Sequence, residues 1–432
     1  MHGKPQGPGH EPDHTSQPAG RLWATAAAVA ALGAWVMFDA RPGLNWLLWT
    51  GAAAMGLAAL HRDRHTKRGG TLVPSLGAAA TLVAGAATIT ASEVLHVVIC
   101  AAVVVLLAMQ MLLAVDPSPR RITARFAATA PPVALFRAVP HALRRAAEAT
   151  EQIRSTRARA WVRGLALTLP VLLVFALLLA EADPTFARWR DAVDAFFSSW
   201  EFLPRVIFFT ALLGLVVGAY GYAISNSAAP LATTEREPVR WLGATERVML
   251  LAAVTALLWL FLALQLGYFF GSQPRATAPG MTFAEYARRG FAELSIVASA
   301  SAVLILFAEH FGQRDRHGRL VQLVAYALIL AVLLLLASAV HRVLLYEAAY
   351  GFTTARLYAQ AYMMVVAAAL VLLAVEVAHT LDTGRLFRRT AAVAAVLLVG
   401  LLYWNHDAWI ARRNIDRFAT TGQLDIAYLT DE

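Results

Sequence analysis

Three short polar phrases in the second half of the chain hold the residues whose types and spacing could do chemistry. The phrase "TFAEYARRGFAEL", Thr282 to Leu294, places Glu285, Arg288, Arg289 and Glu293 close to helical spacing. In "HRVLLYEAAYGFTTARLY", His341 to Tyr358, Arg342, Tyr346, Glu347 and Tyr350 continue out of an apolar run. Gly351 can end that helix with a left-handed cap, and Thr353 or Thr354 can start the next with Arg356 in its first turn. The third phrase, "YWNHDAWIARRNIDRF", Tyr403 to Phe418, sets Asn405 and Asp407 just beyond another apolar run. Together they predict a shared outward-facing polar site of Glu285, Arg288, Arg289, Arg342, Glu347, Arg356, Asn405 and Asp407. Its mixture of arginines and carboxylates fits an anionic group, unless the pairs neutralise one another. Glu285, Glu347 or Asp407 could serve as acid or base. The competing reading is structural, since Tyr, Trp and Arg belong at membrane interfaces in any case.

Other chemistry is sparse. An ionisable residue inside a span is expensive and so a functional candidate. Glu376 in "LLAVEVAHT" is the best of these, as a proton or ion site about one turn from the end of its run. "HEPDH", His10 to His14, has the letters of a zinc-protease signature, but Pro12 opposes the helix that would put both histidines on one metal. Cys100 is the only cysteine, so no intrachain disulfide or multi-cysteine metal site can form. No phosphate-binding loop, hydrolase elbow or dinucleotide fingerprint appears, and neither metal nor cofactor is expected. "GLVVG", Gly214 to Gly218, has the spacing of small residues that lets helices approach closely.

The elements that must position these residues are membrane helices. The chain of 432 residues is 59% hydrophobic and 15% charged, against about 25% charged in soluble domains. Eleven apolar runs approach the roughly 17–25 residues a bilayer asks of a helix. They are Leu22–Phe38, Leu44–Leu60, Leu72–Ile89, Val94–Val115, Val162–Ala180, Leu203–Ile224, Val248–Phe270, Leu294–Phe311, Leu320–Val340, Leu357–Ala378 and a short one near Thr390–Trp404. The expected fold is all-α, a polytopic transmembrane bundle of about 11 spans with interfacial helices. Net charge is +9, carried almost wholly by arginine in the short loops. That placement points to the lipid bilayer and its anionic headgroups rather than to nucleic acid. Basic residues fall about two to one on one side, which predicts a cytoplasmic N-terminus and an external C-terminus.

The organisation expected is a disordered cytoplasmic tail over residues 1–20, N-terminal spans over 21–115, a basic cytoplasmic linker over 116–160, a main bundle over 161–404 and an external amphipathic segment over 405–432. In the linker, Pro131-Pro132 predicts an interruption, with a helix from about His141 to Arg159 resting on anionic headgroups. Asp183 to Phe202 reads as a helix lying on the outer leaflet. Past Trp404, the stripe Trp404, Ala408, Ala411, Ile415 and Phe418 predicts a helix packed by that stripe on the bundle rim, with Arg412 and Asp416 as an i, i+4 pair.

The phrases "AEYARRGFAEL", "HRVLLYEAAYGFTTARLY" and "NHDAWIARRNIDRF…GQLDIAYL" resemble the C-terminal halves of bacterial membrane proteins of domain of unknown function 4173 and its relative 4153. The resemblance runs over about Thr282 to Leu429, with the N-terminal half alike only in hydrophobicity. It implies a polytopic protein of a bacterial cytoplasmic membrane and assigns no catalytic residue. In such relatives the closing "LD..YL" phrase leads into further chain, which implies either a frayed end here or a fragment of a longer protein. Three functions follow as expectations. The first is an envelope scaffold, sensor or partner of another complex, its protein partners unnamed by the sequence. The second is a secondary transporter of a small or anionic solute, and the third a membrane-embedded enzyme acting on the outer leaflet.

Overall fold

The computed structural model describes residues 19–62, 71–90, 92–153, 168, 202–225, 240–270, 291–312, 318–379 and 381–422. Among them there is no strand, only an isolated bridge between Leu242 and Gly312. A helix satisfies its own backbone polar groups, which is what a chain in hydrocarbon requires. The described helices are α1 (Ala19–Val36), α2 (Leu44–Arg62), α3 (Leu72–Gly85), α4 (Glu93–Leu113), α5 (Ala124–Ile153), α6 (Phe202–Ala223), α7 (Ala244–Phe270), α8 (Phe291–His310), α9 (Gly318–Tyr350), α10 (Thr354–Ala378), α11 (Thr383–Tyr403) and α12 (His406–Thr421).

Six of these, α4, α6, α7, α9, α10 and α11, carry segments long and apolar enough to cross a bilayer, and α1, α3 and α8 give shorter apolar stretches. The count of eleven spans is therefore not established. Helix α2 has the length, but Asn45, two tryptophans and its glycines dilute its apolarity. The run Val162–Ala180 and the surface helix expected over Asp183–Phe202 lie outside the described residues, save residues 168 and 202. Even in α9, the most enclosed span, only 44% of the core window is buried. Leu264, Leu323, Val371 and Val396 stand exposed. Apolar surface on that scale is a liability in water and the ordinary solvated face of a protein in hydrocarbon. The protein is a multi-pass integral membrane protein.

The chain divides into two compact units, residues 1–118 with 127–230 and residues 119–126 with 231–432. In the first, α1 lies against α6 and α2, α2 against α3, and α3 against α4. Lipid gives helices no hydrophobic reason to associate, so close packing and buried hydrogen bonds must do it. Tyr220 of α6 donates its hydroxyl to the Ala53 carbonyl at 2.8 Å, and Gln110 of α4 donates Nε2 to the Ala54 carbonyl at 3.2 Å. Both bonds tie their helices to the middle of α2.

Helix α5 corrects the expected linker. It runs unbroken through Pro131, Pro132 and Pro140 instead of starting near His141. It also packs on α6 within the first unit. A Cβ placed on Gly218 would lie 2.3 Å from the Ala138 carbonyl oxygen, so only glycine admits this approach. Of the expected GLVVG pair, Gly218 alone does this, since Gly214 has nothing within 4 Å. Gly218→Leu is expected to pry α5 from α6 and lower stability by about 1–3 kcal/mol, the usual cost of overpacking. Gly214→Leu is the matched control and should be near neutral. Thermal unfolding of the two variants in detergent makes the comparison.

In the second unit α9 is central, flanked by α7, α8 and α10, and α10 in turn packs on α11 and α12. Polar side chains again join the helices: Trp259 Nε1 donates to the Ala327 carbonyl, and the Ser299 and Tyr362 hydroxyls meet at 2.7 Å. Side chains cap the starts of α10, α11 and α12. Thr353, Asp382 and Asn405 accept from the backbone N–H of Arg356, Arg385 and Ala408 respectively.

Candidate functional site

The polar site is built on the corner where α9 turns into α10. Gly351 takes the left-handed conformation expected of it, with φ +86°, and its N–H donates to the Glu347 carbonyl at 2.8 Å. The turn exposes the N–H and carbonyl of Phe352, and one side chain of α12 takes both. Asn414 Oδ1 accepts from the Phe352 N–H at 2.8 Å, and Asn414 Nδ2 donates to the Phe352 carbonyl at 2.9 Å. A Cβ on Gly351 would fall 2.7 Å from Asn414 Oδ1, so glycine is required by space as well as by φ.

Further contacts fasten α12 along its length. Arg417 Nε donates to the Ala348 carbonyl at 3.2 Å, and the Phe352 ring meets Trp409 edge-on with centroids 5.1 Å apart. His406 Nδ1 lies 3.0 Å from the Trp404 carbonyl, which can only accept. A neutral ring donating there accepts at Nε2, where the Tyr358 hydroxyl sits at 3.0 Å. The buried residues of α12 are thus His406, Ile410 and Asn414. The expected packing stripe faces elsewhere: Trp404, Ile415 and Phe418 are exposed. The physical reason is that the corner's backbone groups need partners, and the side chains that supply them set the buried face of the helix.

Inside the corner, Glu347 is 4% exposed. Gln360 Nε2 donates to its carboxylate at 2.8 Å, and Arg356 is near enough to interact with it electrostatically. The Arg356 guanidinium stacks 4.1 Å from the Tyr346 ring centroid and donates to the Gly351 carbonyl. Of the eight expected site residues, Glu347 and Arg356 therefore come together. Asn405 is the cap of α12. Asp407 occupies its first turn, exposed, with Oδ1 3.4 Å from His406 Nε2. Arg342 is on α9, a turn and a half before Glu347. Glu285, Arg288 and Arg289 lie outside the described residues. The spacing of apolar residues did not reveal Tyr358, Gln360, His406 or Asn414. One signal was available: asparagine is a poor residue for a helix interior unless its side chain has a partner.

A second polar centre holds Glu376, at 1% exposure. Arg385 grips its carboxylate with Nε at 2.7 and 3.0 Å and Nη2 at 2.6 Å, and Arg389 adds Nη1 at 3.2 Å. The expected ion-site candidate thus closes the α10–α11 turn. Glu309 of α8 pairs with Arg247 of α7 at 3.8 Å. Among the described residues no three His, Cys, Asp or Glu gather as a metal site.

A family model described as "Domain of unknown function (DUF4153)" matches residues 77–431. The chain belongs to this family. The DUF4153 region reaches from α3 past α12 and takes in both polar centres, so family membership covers far more than the C-terminal phrases from which kinship was expected. The match is to 4153, the relative named beside 4173 in the expected kinship. No curated protein and no solved structure matches the chain.

Proposed function

We propose that this DUF4153 protein is an envelope scaffold or complex partner in a bacterial cytoplasmic membrane, and that the α9–α10 corner with α12 is its outward-facing site. One observation carries this reading. Helix α12 is clamped by Asn414, Arg417 and His406, while Ile415 and Phe418 on it and Trp404 just before it stay exposed. A rigid helix with an uncovered aromatic and aliphatic edge is suited to receiving a protein partner at the bilayer rim. The arginine bias supports a cytoplasmic N-terminus and an external C-terminus. It also supports contact of the basic 116–160 segment with anionic headgroups, and the C-terminal phrases keep kinship with 4173 within this proposal.

The test is photocrosslinking in living cells from Ile415 or Phe418, beside complementation of a deletion strain. One defined protein should be captured, and Asn414→Leu should abolish both capture and complementation. Adducts to lipid alone would overturn the scaffold reading. The transporter alternative rests on Glu376, buried and in contact with two arginines. It predicts solute flux in proteoliposomes that Glu376→Gln removes. An enzyme on the outer leaflet would need Glu285, Glu347 or Asp407 as an acid or base, and the amide at one of these positions would then abolish complementation while the protein still inserts.

A further inference from the structure

In the first unit, helices α2, α4, α5 and α6 line a half-open cavity of about 460 Å³. Its wall is almost wholly apolar: Leu57, Val103, Leu107, Met111, Pro131 and Leu135 are representative. The wall follows from features already described. Gly218 draws α5 onto α6 at Ala138, while the proline rings at 131 and 132 form part of the wall opposite α4. A second apolar hollow of about 250 Å³ lies along the same α5–α6 seam and shares Leu135, Ala138 and Leu215 with the first.

The two ends of this seam differ in chemistry. Beyond Ala138, α5 carries His141, Arg144 and Arg145. His141 Cβ and Arg145 Cγ lie 3.7 Å from a Cβ placed on Gly221, two residues from the end of the α6 span, and the His141 ring meets Tyr222 edge-on. His141 and Arg145 therefore stand near the end of that span, where the headgroups begin, with Arg145 Nη1 also donating to Glu148 Oε2 at 3.0 Å, and the cavity lies further back along α5. Val139 and Leu143 are exposed along α5 between the lining residue Ala138 and the arginines.

We infer that this cavity takes an acyl chain of an anionic phospholipid, whose phosphate is met by Arg144 and Arg145. The arrangement is an apolar slot of ligand size with cations about two turns further along α5 than its last lining residue, Ala138. It rests on the lipid contact proposed above for the 116–160 segment, and adds to it a defined site, a chain-binding slot and a headgroup preference. It does not depend on α12 or on any protein partner.

The experiment uses the full chain in vesicles containing a phosphatidylglycerol with a photoreactive group in its acyl chain. Labelled peptides are mapped after irradiation. Label should concentrate on the peptides containing Leu107–Met111 and Pro131–Leu135. Excess phosphatidylglycerol should compete it away, and phosphatidylcholine should not. Ala219→Phe, inside the slot, and Val104→Trp, at its edge, should each cut that label about fivefold while labelling elsewhere on the spans is unchanged. Arg144→Ala with Arg145→Ala should erase the preference for phosphatidylglycerol, worth about tenfold or more for two basic residues at an anionic surface. Equal labelling by both lipids that the arginine variants leave unchanged would overturn the headgroup assignment. Label spread evenly over the spans, or label at the slot indifferent to both filling variants, would overturn the slot. The α12 capture experiment is unaffected by any of these results.

Discussion

Replacing Arg385 and Arg389 together by leucine is expected to destabilise the protein far more than replacing Glu376 by leucine. Glu376 is 1% exposed, whereas Arg385 and Arg389 are 38% and 49% exposed. Without both arginines, the carboxylate is left uncompensated away from water. Removing the partners of a buried charge is the costly direction for such a pair. Without the carboxylate, the arginines turn to water and headgroups, and the loss is small. The triple variant, with leucine at all three positions, should recover most of the stability lost in the double variant. Unfolding in mixed micelles of the four proteins, wild type included, gives the comparison. Equal losses from the two sides would mean that Glu376 is not buried in the membrane-embedded protein.

Asn414→Leu is expected to release α12. The substitution removes two hydrogen bonds and leaves the Phe352 N–H and carbonyl without their partners in a half-buried turn. A cost of about 2 kcal/mol follows from ordinary values for such groups. The loss should be local, because the bonds join one helix to one corner. Hydrogen exchange should speed up in α12 and in residues 350–354 while α9 and α10 stay protected. Gly351→Ala should act the same way, through φ and through the approach of Asn414 Oδ1. If exchange in α12 is unchanged in both variants, the corner does not hold the helix.

These two sites show what the sequence could and could not reveal. Six of the eleven expected spans were legible among the described residues because hydrocarbon imposes length and apolarity on a helix regardless of its neighbours. The corner was legible at Gly351 and Thr353, since caps obey local rules. The orientation of α12 was not legible. Its apolar stripe was assigned to the protein, as it would be in water, and the structure turns it outward while His406 and Asn414 turn in. The unbroken α5 was missed as well. Proline predicts a break, and the structure carries the helix through Pro131, Pro132 and Pro140. Glu376 was noticed as a buried charge, yet its partners lie nine and thirteen residues away across a turn, and spacing on one helix cannot show that.

Helix α9 has 33 residues and so a length of about 50 Å, some 20 Å more than a hydrocarbon core. That surplus can be absorbed by leaning or by protrusion, and the share of each varies with membrane thickness. In a thin bilayer the Gly351 turn stands clear of the acyl region. In a thick one it is drawn toward it, and Glu347 with it. The same chain placed in sheets of different thickness would thus show its outer surface at different heights, as a float does against a gauge.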